Sequence, residues 1–342
     1  MSGYSQIFAV AVVGLGRIGA GYEPWKSASS KTVVIRNHVD AILATPGLKL
    51  AAVAEADQER RSELEADARL SGVPFFQNLE GLPSGLDIIC IATPTAERTR
   101  DVGGAIEKTP KLLVIEKPLA CTLEEARRLV NTATAKNIGV VVNFPRRLDF
   151  GFEEIRKSFR QTPRKVVIRY GKGLKNYASH AVDWLLQWYG SVRAVQAFGG
   201  FQPCEDPNIS FVCRMGAGFD AVFLGLDGLI YDQFEIDVIF DDRVLELRNS
   251  GIEKISRRPV ESRYVKGYSQ LGDAEFLSQP QSIGGLVELY QALVEELRGR
   301  KSNAACHAQW ALAGMEILDA VERSAAAKGC QIELTQSDLK PI

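Results

Sequence analysis

The sequence predicts a two-domain α/β protein, in which a doubly wound parallel sheet precedes an α+β domain with a large mixed or antiparallel sheet. Up to residue 144, short apolar runs alternate with amphipathic stretches, which is typical of a parallel Rossmann sheet covered by helices. The later part has several strand-like runs with few helices between them. The chain has 342 residues, more than one ordinary core supports. We therefore expect domains at 1–144 and 145–342.

The elements of the first domain follow from apolar runs and helix signals. The predicted strands are residues 9–13, 50–54, 87–92, 112–115 and 139–143. Residues 57–70 and 122–136 are predicted helices, and the second begins with a capping box from Thr122 to Glu125. Residues 21–31 are rich in Gly, Pro and Ser, so we interpret them as an inserted loop.

The second domain is predicted to begin with two helices, near 149–160 and 176–189, and to end with two more. Its strands have the turn-separated spacing typical of an antiparallel or mixed sheet. The predicted strands are residues 194–201, 209–215, 219–226, 234–240 and 244–249, and the closing helices are residues 285–299 and 303–328.

Composition excludes several classes of protein. Hydrophobic residues make up 46% and charged residues 24%, and the formal net charge is -1, so no overall positive charge favours nucleic acid. No apolar run approaches the roughly 20 residues that span a bilayer. The six cysteines form no CxxC pair, so we expect reduced thiols and a cytoplasmic protein. The three histidines lack metal-ligand spacing, and we expect no metal.

A glycine-rich turn follows the first predicted strand. Gly14, Gly16 and Gly19 have the spacing that lets a chain turn sharply, approach a pyrophosphate and pack a helix closely. The alternative is a tight turn without a ligand. An acid after the second strand would accept the ribose hydroxyls, and Glu55 fits better than Asp57. Because an acid disfavours a 2′-phosphate, we expect NAD over NADP. The alternative is that one of the two only caps the next helix.

Two further motifs follow strands at the same predicted edge. Thr93 and Pro94 end one strand, and Glu116-Lys117-Pro118 ends the next. A lysine beside a nicotinamide can exchange a proton with a hydroxyl. The alternatives are an ordinary strand-to-helix turn at Thr93 and Pro94, and a surface lysine paired with Glu116.

Asn176, His180 and Asp183 share nearly one face of a predicted helix. His180 could shuttle a proton at neutral pH, although a lone helical histidine is more often structural. His38 and His307 have weaker claims to a functional role, since neither has such companions.

These motifs together resemble the glucose–fructose oxidoreductase and inositol dehydrogenase (Gfo/Idh/MocA) family. The resemblance implies that Lys117 and His180 are the catalytic pair, and that Lys117, Lys172, Asn176 and His180 meet a sugar-type substrate. It also implies a homo-oligomer, dimer or tetramer, through the C-terminal sheet. The residues implied to surround the dinucleotide are Gly14, Gly16, Arg17, Ile18, Gly19, Glu55, Thr93, Pro94, Glu116, Lys117 and Arg146.

Two positions depart from the family pattern, which has Asp where this chain has Asn176 and His where it has Arg98. Arg98, Lys172 and Lys175 could favour an anionic substrate, such as a sugar acid or sugar nucleotide of surface-polysaccharide metabolism. We expect an NAD-dependent dehydrogenase or reductase of a sugar, polyol or sugar derivative. The alternatives are a non-catalytic dinucleotide-binding partner or sensor, and a lyase or hydrolase that recycles NAD.

Overall fold

The computed structural model describes residues 6–22, 25–26, 33–148, 161–277, 285–300 and 305–335. The chain divides into two compact units. The first is Met1–Leu148 with Gly284–Leu312, and the second is Asp149–Ile283 with Ala313–Ile342. The helix predicted near 149–160 and most of the predicted loop 21–31 lie outside the described residues. No helix in the described ranges is long and apolar enough to cross a membrane.

The first unit is built on a seven-stranded sheet. Its strands and those of a small neighbouring two-stranded sheet are β1 (Phe8–Val13), β2 (Trp25–Lys26), β3 (Val33–Val34), β4 (Leu48–Ala54), β5 (Phe75–Phe76), β6 (Ile88–Ile91), β7 (Leu112–Glu116), β8 (Gly139–Asn143) and β19 (Cys306–His307). The order is β19-β8-β7-β6-β1-β4-β5, while β2 pairs with β3. All pairs from β8 to β5 are parallel, and β19 runs antiparallel to β8. The predicted parallel Rossmann sheet is confirmed.

Helices accompany this sheet, and the first four of them lie between successive parallel strands. They are α1 (His38–Ala44), α2 (Gln58–Glu65), α3 (Thr95–Glu107), α4 (Leu123–Ala135), α6 (Leu286–Leu297) and the start of α7 (Ala308–Ala326). The predicted capping box is present at α4. The Glu125 amide donates to Thr122 Oγ1, and the Thr122 amide donates to Glu125 Oε2, each at 3.2 Å. The two side chains thus satisfy amides that no helical carbonyl reaches.

Helix α6 packs into the core of the first unit, although the sequence placed it in the second domain. Leu286, Leu289, Tyr290 and Leu293 are buried in one cluster with residues of the parallel sheet such as Val12. A helix with this apolar stripe must bury it somewhere, and the sequence does not specify against which sheet. The division into domains at 144 and 145 stays a prediction.

The second unit is built on a nine-stranded sheet. Its strands, with those of a separate hairpin, are β9 (Lys165–Tyr170), β10 (Val192–Phe198), β11 (Ser210–Met215), β12 (Asp220–Gly225), β13 (Phe234–Ile239), β14 (Val244–Arg248), β15 (Glu253–Arg257), β16 (Pro259–Glu261), β17 (Ser269–Leu271), β18 (Glu275–Phe276) and β20 (Ile332–Glu333). The order is β18-β15-β14-β13-β9-β12-β11-β10-β20, and β16 pairs only with β17. Because β9 is parallel to β12 and antiparallel to β13, the predicted mixed sheet is confirmed.

The two faces of this sheet differ. Helix α5 (Ser179–Tyr189) packs Trp184 and Leu185 against Ile168 and Ile236. On the opposite face, ion pairs cross from strand to strand. Arg169 donates to Asp237 at 2.8 Å, and Arg257 donates to Glu246 at 2.9 Å. The half-exposed apolar side chains on that face include Val167, Val212, Val222 and Leu224.

Candidate functional site

The glycine-rich turn after β1 has the geometry that the sequence predicts. Gly14 has a φ of +86°, and a Cβ there would lie 2.8 Å from the Thr93 amide nitrogen. A Cβ on Gly19 would overlap the Gly14 carbonyl, whereas one on Gly16 would meet no atom within 4 Å among the described residues. Gly14 and Gly19 are therefore required by the fold, and the space over Gly16 is open to a ligand.

The chain after Gly16 forms a π-helical turn, Arg17–Gly21, in which the Gly21 amide donates to the Gly16 carbonyl at 3.1 Å. The predicted cofactor residues Arg17 and Ile18 lie on it, Arg17 exposed and Ile18 half-buried. Such a turn points backbone amides at the space over the glycines, which suits an anionic group.

The two acids after β4 have different roles. Asp57 caps α2, since its carboxylate accepts from the Arg60 amide at 2.9 Å. Glu55 is half-buried, and its Oε2 accepts from the Leu15 amide at 2.7 Å. Glu55 is therefore the acid beside the glycine turn, as the sequence predicts, and the capping alternative applies to Asp57.

The turn after β6 meets the glycine turn. Thr93 is buried, and its hydroxyl has no hydrogen-bond partner within the part of the chain that the structure describes. Pro94 is exposed and precedes α3. A buried hydroxyl without a partner costs free energy, so its position beside Gly14 fits a ligand group over the turn. The glycine turn, Glu55 and Thr93 thus fit a dinucleotide.

Arg98 holds two backbone segments together. This buried guanidinium donates from Nη2 to the Thr93 carbonyl at 2.6 Å and from Nη1 to the Pro118 carbonyl at 2.5 Å. Burial lowers the pKa of Arg98, and the negative charge of Glu116 opposes this effect. The two carbonyls occupy two of the five N–H donors of Arg98, and its preference for an anionic substrate stays a prediction.

The carboxylate of Glu116 lies in a buried polar cluster that we call the Glu116 network, made of Glu116, His38, Asn143 and Tyr290. His38 Nε2 lies 3.0 Å from Glu116 Oε1, and the Asn143 side-chain amide donates to the same oxygen at 2.6 Å. On the other side of the imidazole, Nδ1 lies 2.9 Å from the Tyr290 hydroxyl. All four side chains are buried. Glu116, predicted to meet the cofactor, is engaged by these protein groups.

The charges of the network stabilise each other. Burial lowers the pKa of His38, but Cys90 and the Glu116 carboxylate outweigh this and raise it to about 10. Burial raises the pKa of Glu116, but the hydrogen bond and the charge of His38 outweigh this and hold it below its usual range. Both pKa directions favour the charged forms of His38 and Glu116 as a buried pair.

Lys117 follows the last residue of β7 and is half-buried. The side-chain amide of Asn143, at the end of β8, reaches Glu116, and the half-buried Arg146 lies in the next turn, Pro145–Leu148. The structure therefore places Lys117 and the predicted cofactor residues on segments that follow β1, β4, β6, β7 and β8 of one sheet.

The remaining predicted residues lie in the second unit. His180 and Asp183 are buried on α5. Asn176 is exposed on the preceding turn, where its backbone N–H donates to the Asp206 carboxylate. Lys172 is exposed and pairs with Asp232, and Lys175 pairs with Glu322 at 2.8 Å. These lysines are engaged by acids of their own unit. Among the described residues, no group of three or more His, Cys, Asp or Glu could hold a metal ion.

Sequence reasoning missed most of the Glu116 network. His38 had little support because no companion residues accompanied it in the sequence. The signal was the pattern Asn37-x-x-Asp40, which starts α1 with Asn37 accepting from the Asp40 amide at 2.8 Å. No local pattern pointed to Tyr290, because it reaches His38 from a segment 252 residues away.

Comparisons with known proteins agree with this geometry. Residues 8–144 match the Gfo/Idh/MocA family model, described as an oxidoreductase family with an NAD-binding Rossmann fold. No curated protein matches the sequence.

Solved structures resemble the whole chain at low sequence identity. The WlbA dehydrogenase from Bordetella pertussis, in complex with NADH and UDP-GlcNAcA, is 17% identical with a TM-score of 0.75, and the match covers 98% of this chain and 100% of that one. UDP-N-acetylglucosamine 3-dehydrogenase GnnA from Acidithiobacillus ferrooxidans is 17% identical with a TM-score of 0.69, covering 93% and 97%. A super-repressor mutant of Gal80p from Saccharomyces cerevisiae is also 17% identical, with a TM-score of 0.74, covering 96% and 97%.

Proposed function

We propose that the protein is an NAD-dependent dehydrogenase or reductase, because residues 8–144 match the model of an oxidoreductase family with an NAD-binding Rossmann fold. It acts on a secondary hydroxyl of a sugar, polyol or sugar derivative, or on the matching ketone. One observation carries the proposal: the open Gly16 turn, Glu55 and Lys117 all follow parallel strands of the same sheet. Ligands of such sheets bind at the carboxyl ends of the strands.

The residues of the first unit would hold the dinucleotide in a definite way. Backbone amides over Gly16 would bind the pyrophosphate, with Arg17, Ile18, Thr93, Pro94 and Arg146 around it. Glu55 would accept hydrogen bonds from the ribose hydroxyls. Because its carboxylate would repel a 2′-phosphate, NAD is preferred over NADP. When bound, the nicotinamide ring supplies or accepts the hydride.

Lys117 would hold the proton that the reaction moves at the substrate oxygen. An amine at the end of a buried strand is fixed in direction, and it can donate a proton to a ketone or accept one from a hydroxyl. His180 is the predicted second proton carrier, and Asn176 and Lys172 are the predicted substrate contacts. The complex of WlbA with UDP-GlcNAcA and the activity named for GnnA support a sugar-type substrate, including sugar nucleotides.

A second candidate is a dinucleotide-binding protein without turnover. The exposed Asn176 favours it, since an amide cannot carry the proton that the family's Asp could carry, and a Gal80p super-repressor shares the fold. A lyase or hydrolase that recycles NAD is the third. Cofactor that survives purification, with substrate consumed and no net NADH formed, would identify this third function.

The first test is thermal unfolding with cofactor. At a concentration 100-fold above Kd, a ligand of the folded state adds about 2.7 kcal/mol, so NAD(H) should raise the Tm. NADP(H) should raise the Tm less than NAD(H) does. In Glu55→Gln, the Tm shifts with the two cofactors should be closer to each other. Glu59→Gln, at an acid in the first turn of α2, is the matched control. Equal shifts with both cofactors in the wild type would contradict the ribose assignment of Glu55.

The second test is turnover. A panel of sugars, sugar acids and sugar nucleotides is screened for NADH absorbance, and the best substrate is then used with variants. Lys117→Ala should reduce kcat by about 10²–10⁴-fold and weaken NAD binding far less. His180→Asn should remove a limb of the pH–rate profile near neutral pH. If His180→Asn keeps the wild-type kcat and pH–rate profile, Lys117 or water transfers the proton and His180 is structural.

A further inference from the structure

The residues on both sides of Lys117 are held by side chains that come from elsewhere in the first unit. On one side, the Glu116 carboxylate lies between His38 at 3.0 Å and Asn143 at 2.6 Å. On the other side, the Pro118 carbonyl accepts from Arg98 at 2.5 Å. The backbone that carries Lys117 is therefore fixed at both of its neighbours.

These contacts come from four different elements. His38 begins α1, Asn143 ends β8, Arg98 lies on α3, and Tyr290 reaches the far side of His38 from α6. Each side chain is buried, so water competes little with these hydrogen bonds. A buried ion pair adds little net stability compared with apolar packing. Fold stability alone therefore does not explain why buried charges are clustered around this one segment.

We propose that His38, through Glu116, and Arg98, through Pro118, are positioning residues that fix the direction of the Lys117 amine. The inference rests on the proposed function, because only a Lys117 amine that transfers a proton needs a fixed direction. A reacting group that moves by about 1 Å can lose on the order of 10²-fold in rate. His38 and Arg98 need no contact with substrate or cofactor for this role.

The test measures the acetylation rate of Lys117 by mass spectrometry, with and without saturating NAD. Lys136, which pairs with Glu107 at 2.7 Å, is the internal reference. His38→Leu removes both imidazole hydrogen bonds at similar volume. His38→Gln keeps a donor that can reach Glu116. The matched control is His307→Leu, which breaks another histidine–glutamate pair of the first unit, His307 with Glu296 at 3.1 Å.

We expect NAD to slow the labelling of wild-type Lys117 by about tenfold or more, as burial of a reactive group does. In His38→Leu, the protection of Lys117 by NAD should fall to about threefold, because the loss of one buried hydrogen-bond partner is worth roughly a tenfold effect. The Kd for NAD should change by less than about threefold. His38→Gln should restore at least half of the protection, and His307→Leu should keep all of it. Wild-type protection in His38→Leu would overturn the proposal, even if its Tm falls.

Failure of the proposed function is recognised separately. If NAD does not protect wild-type Lys117, the assignment of Lys117 to the nicotinamide fails. The positioning role is then tested in the protein without NAD. There, Lys117 of His38→Leu should be acetylated roughly fivefold faster than Lys117 of the wild type. An acetylation rate equal to that of the wild type at every pH would overturn the proposal. If His38→Leu does not fold, Tyr290→Phe removes only one hydroxyl and should give a smaller change of the same sign, and no change there overturns the proposal.

Discussion

Three glycines of the turn after β1 serve different purposes, which the space around each of them shows. Gly14 needs a positive φ and lies against Thr93, and Gly19 lies against the Gly14 carbonyl. Only at Gly16 is there room for a side chain. A substitution at Gly16 therefore separates ligand binding from folding, which a substitution at Gly14 or Gly19 could not do.

Gly16→Val should abolish NAD binding and leave the circular dichroism spectrum and the Tm without ligand close to those of the wild type. The valine side chain would fill the space through which backbone amides approach the pyrophosphate. Isothermal titration with NAD measures the effect. Gly103→Val is the matched control, since a Cβ on Gly103 of α3 also meets no atom within 4 Å among the described residues. Retained NAD binding in Gly16→Val would reduce the motif to a structural turn.

The ion pair between His38 and Glu116 makes a prediction about pH. Because the fold raises the pKa of His38 from 6.5 to about 10, its stabilising effect is complete below pH 6.5 and is lost as pH rises towards 10. The free energy of unfolding of the wild type should therefore fall relative to that of His38→Gln between pH 6.5 and 10. Urea titrations at pH 6.5, 8 and 9.5 measure this difference. A difference that stays constant would show that the folded protein holds His38 neutral.

At the scale of elements, the sequence located the helix and strand signals that are local. The strand that carries Glu116 was visible as an apolar run, and the capping box at Thr122 marked the start of α4. Strand β9 (Lys165–Tyr170) was missed, although its outward Lys165, Val167 and Arg169 alternate with buried residues, as in a half-buried strand. The charge of its outward Arg169 is neutralised by Asp237 and Glu235 of the neighbouring strand, and Asp237 is 68 residues away in the sequence. The alternation of β9 was therefore present in the sequence, whereas the strands that pair with it could not be predicted from it.

In the candidate site, too, the residues with local sequence signals were predicted and those with long-range partners were not. The glycine turn, Glu55 and Lys117 each follow a strand directly, so their positions could be predicted from short motifs. The other members of the Glu116 network come from α1, β8 and α6, and only the folded chain brings His38 and Tyr290 together. Arg98 was visible as a departure from the family pattern, but its role depends on two carbonyls that sequence cannot place.

Thr122→Ala should destabilise the first unit by about 1 kcal/mol, the usual effect of removing a helix cap. The hydroxyl accepts from the Glu125 amide in the structure, and alanine leaves that amide to water. Thr132→Ala is the matched control, because Thr132 lies on the same helix and only donates to the Arg128 carbonyl. Urea denaturation followed by circular dichroism measures both. Equal losses would show that the capping box contributes nothing beyond helix propensity.

At the scale of the whole molecule, the nine-stranded sheet has one face without a helix of its own unit packed on it among the residues the structure describes. Arg248 contacts Asp237 at 2.5 Å and Glu246 at 3.3 Å on that face, so its charges are mutually neutralised. Val222 and Leu224 are half-exposed on the same face, on β12, which β9 separates from β13. A face of paired charges and exposed apolar side chains suits contact with another protein surface. This is the face through which we expect the homo-oligomer to form.

Light scattering coupled to size exclusion should therefore give a mass that is a multiple of the 37.5 kDa chain. Leu224→Arg should reduce the mass to that of a single chain, since a buried cation without a partner in an interface costs more than a few kcal/mol. Ile7→Arg, at a residue of the first unit that is 65% exposed, is the matched control and should leave the mass unchanged. Far-UV circular dichroism shows whether each variant remains folded. A wild-type protein that elutes as a single chain at micromolar concentration would contradict the oligomer. A folded Leu224→Arg variant that keeps the multiple would move the interface to another surface.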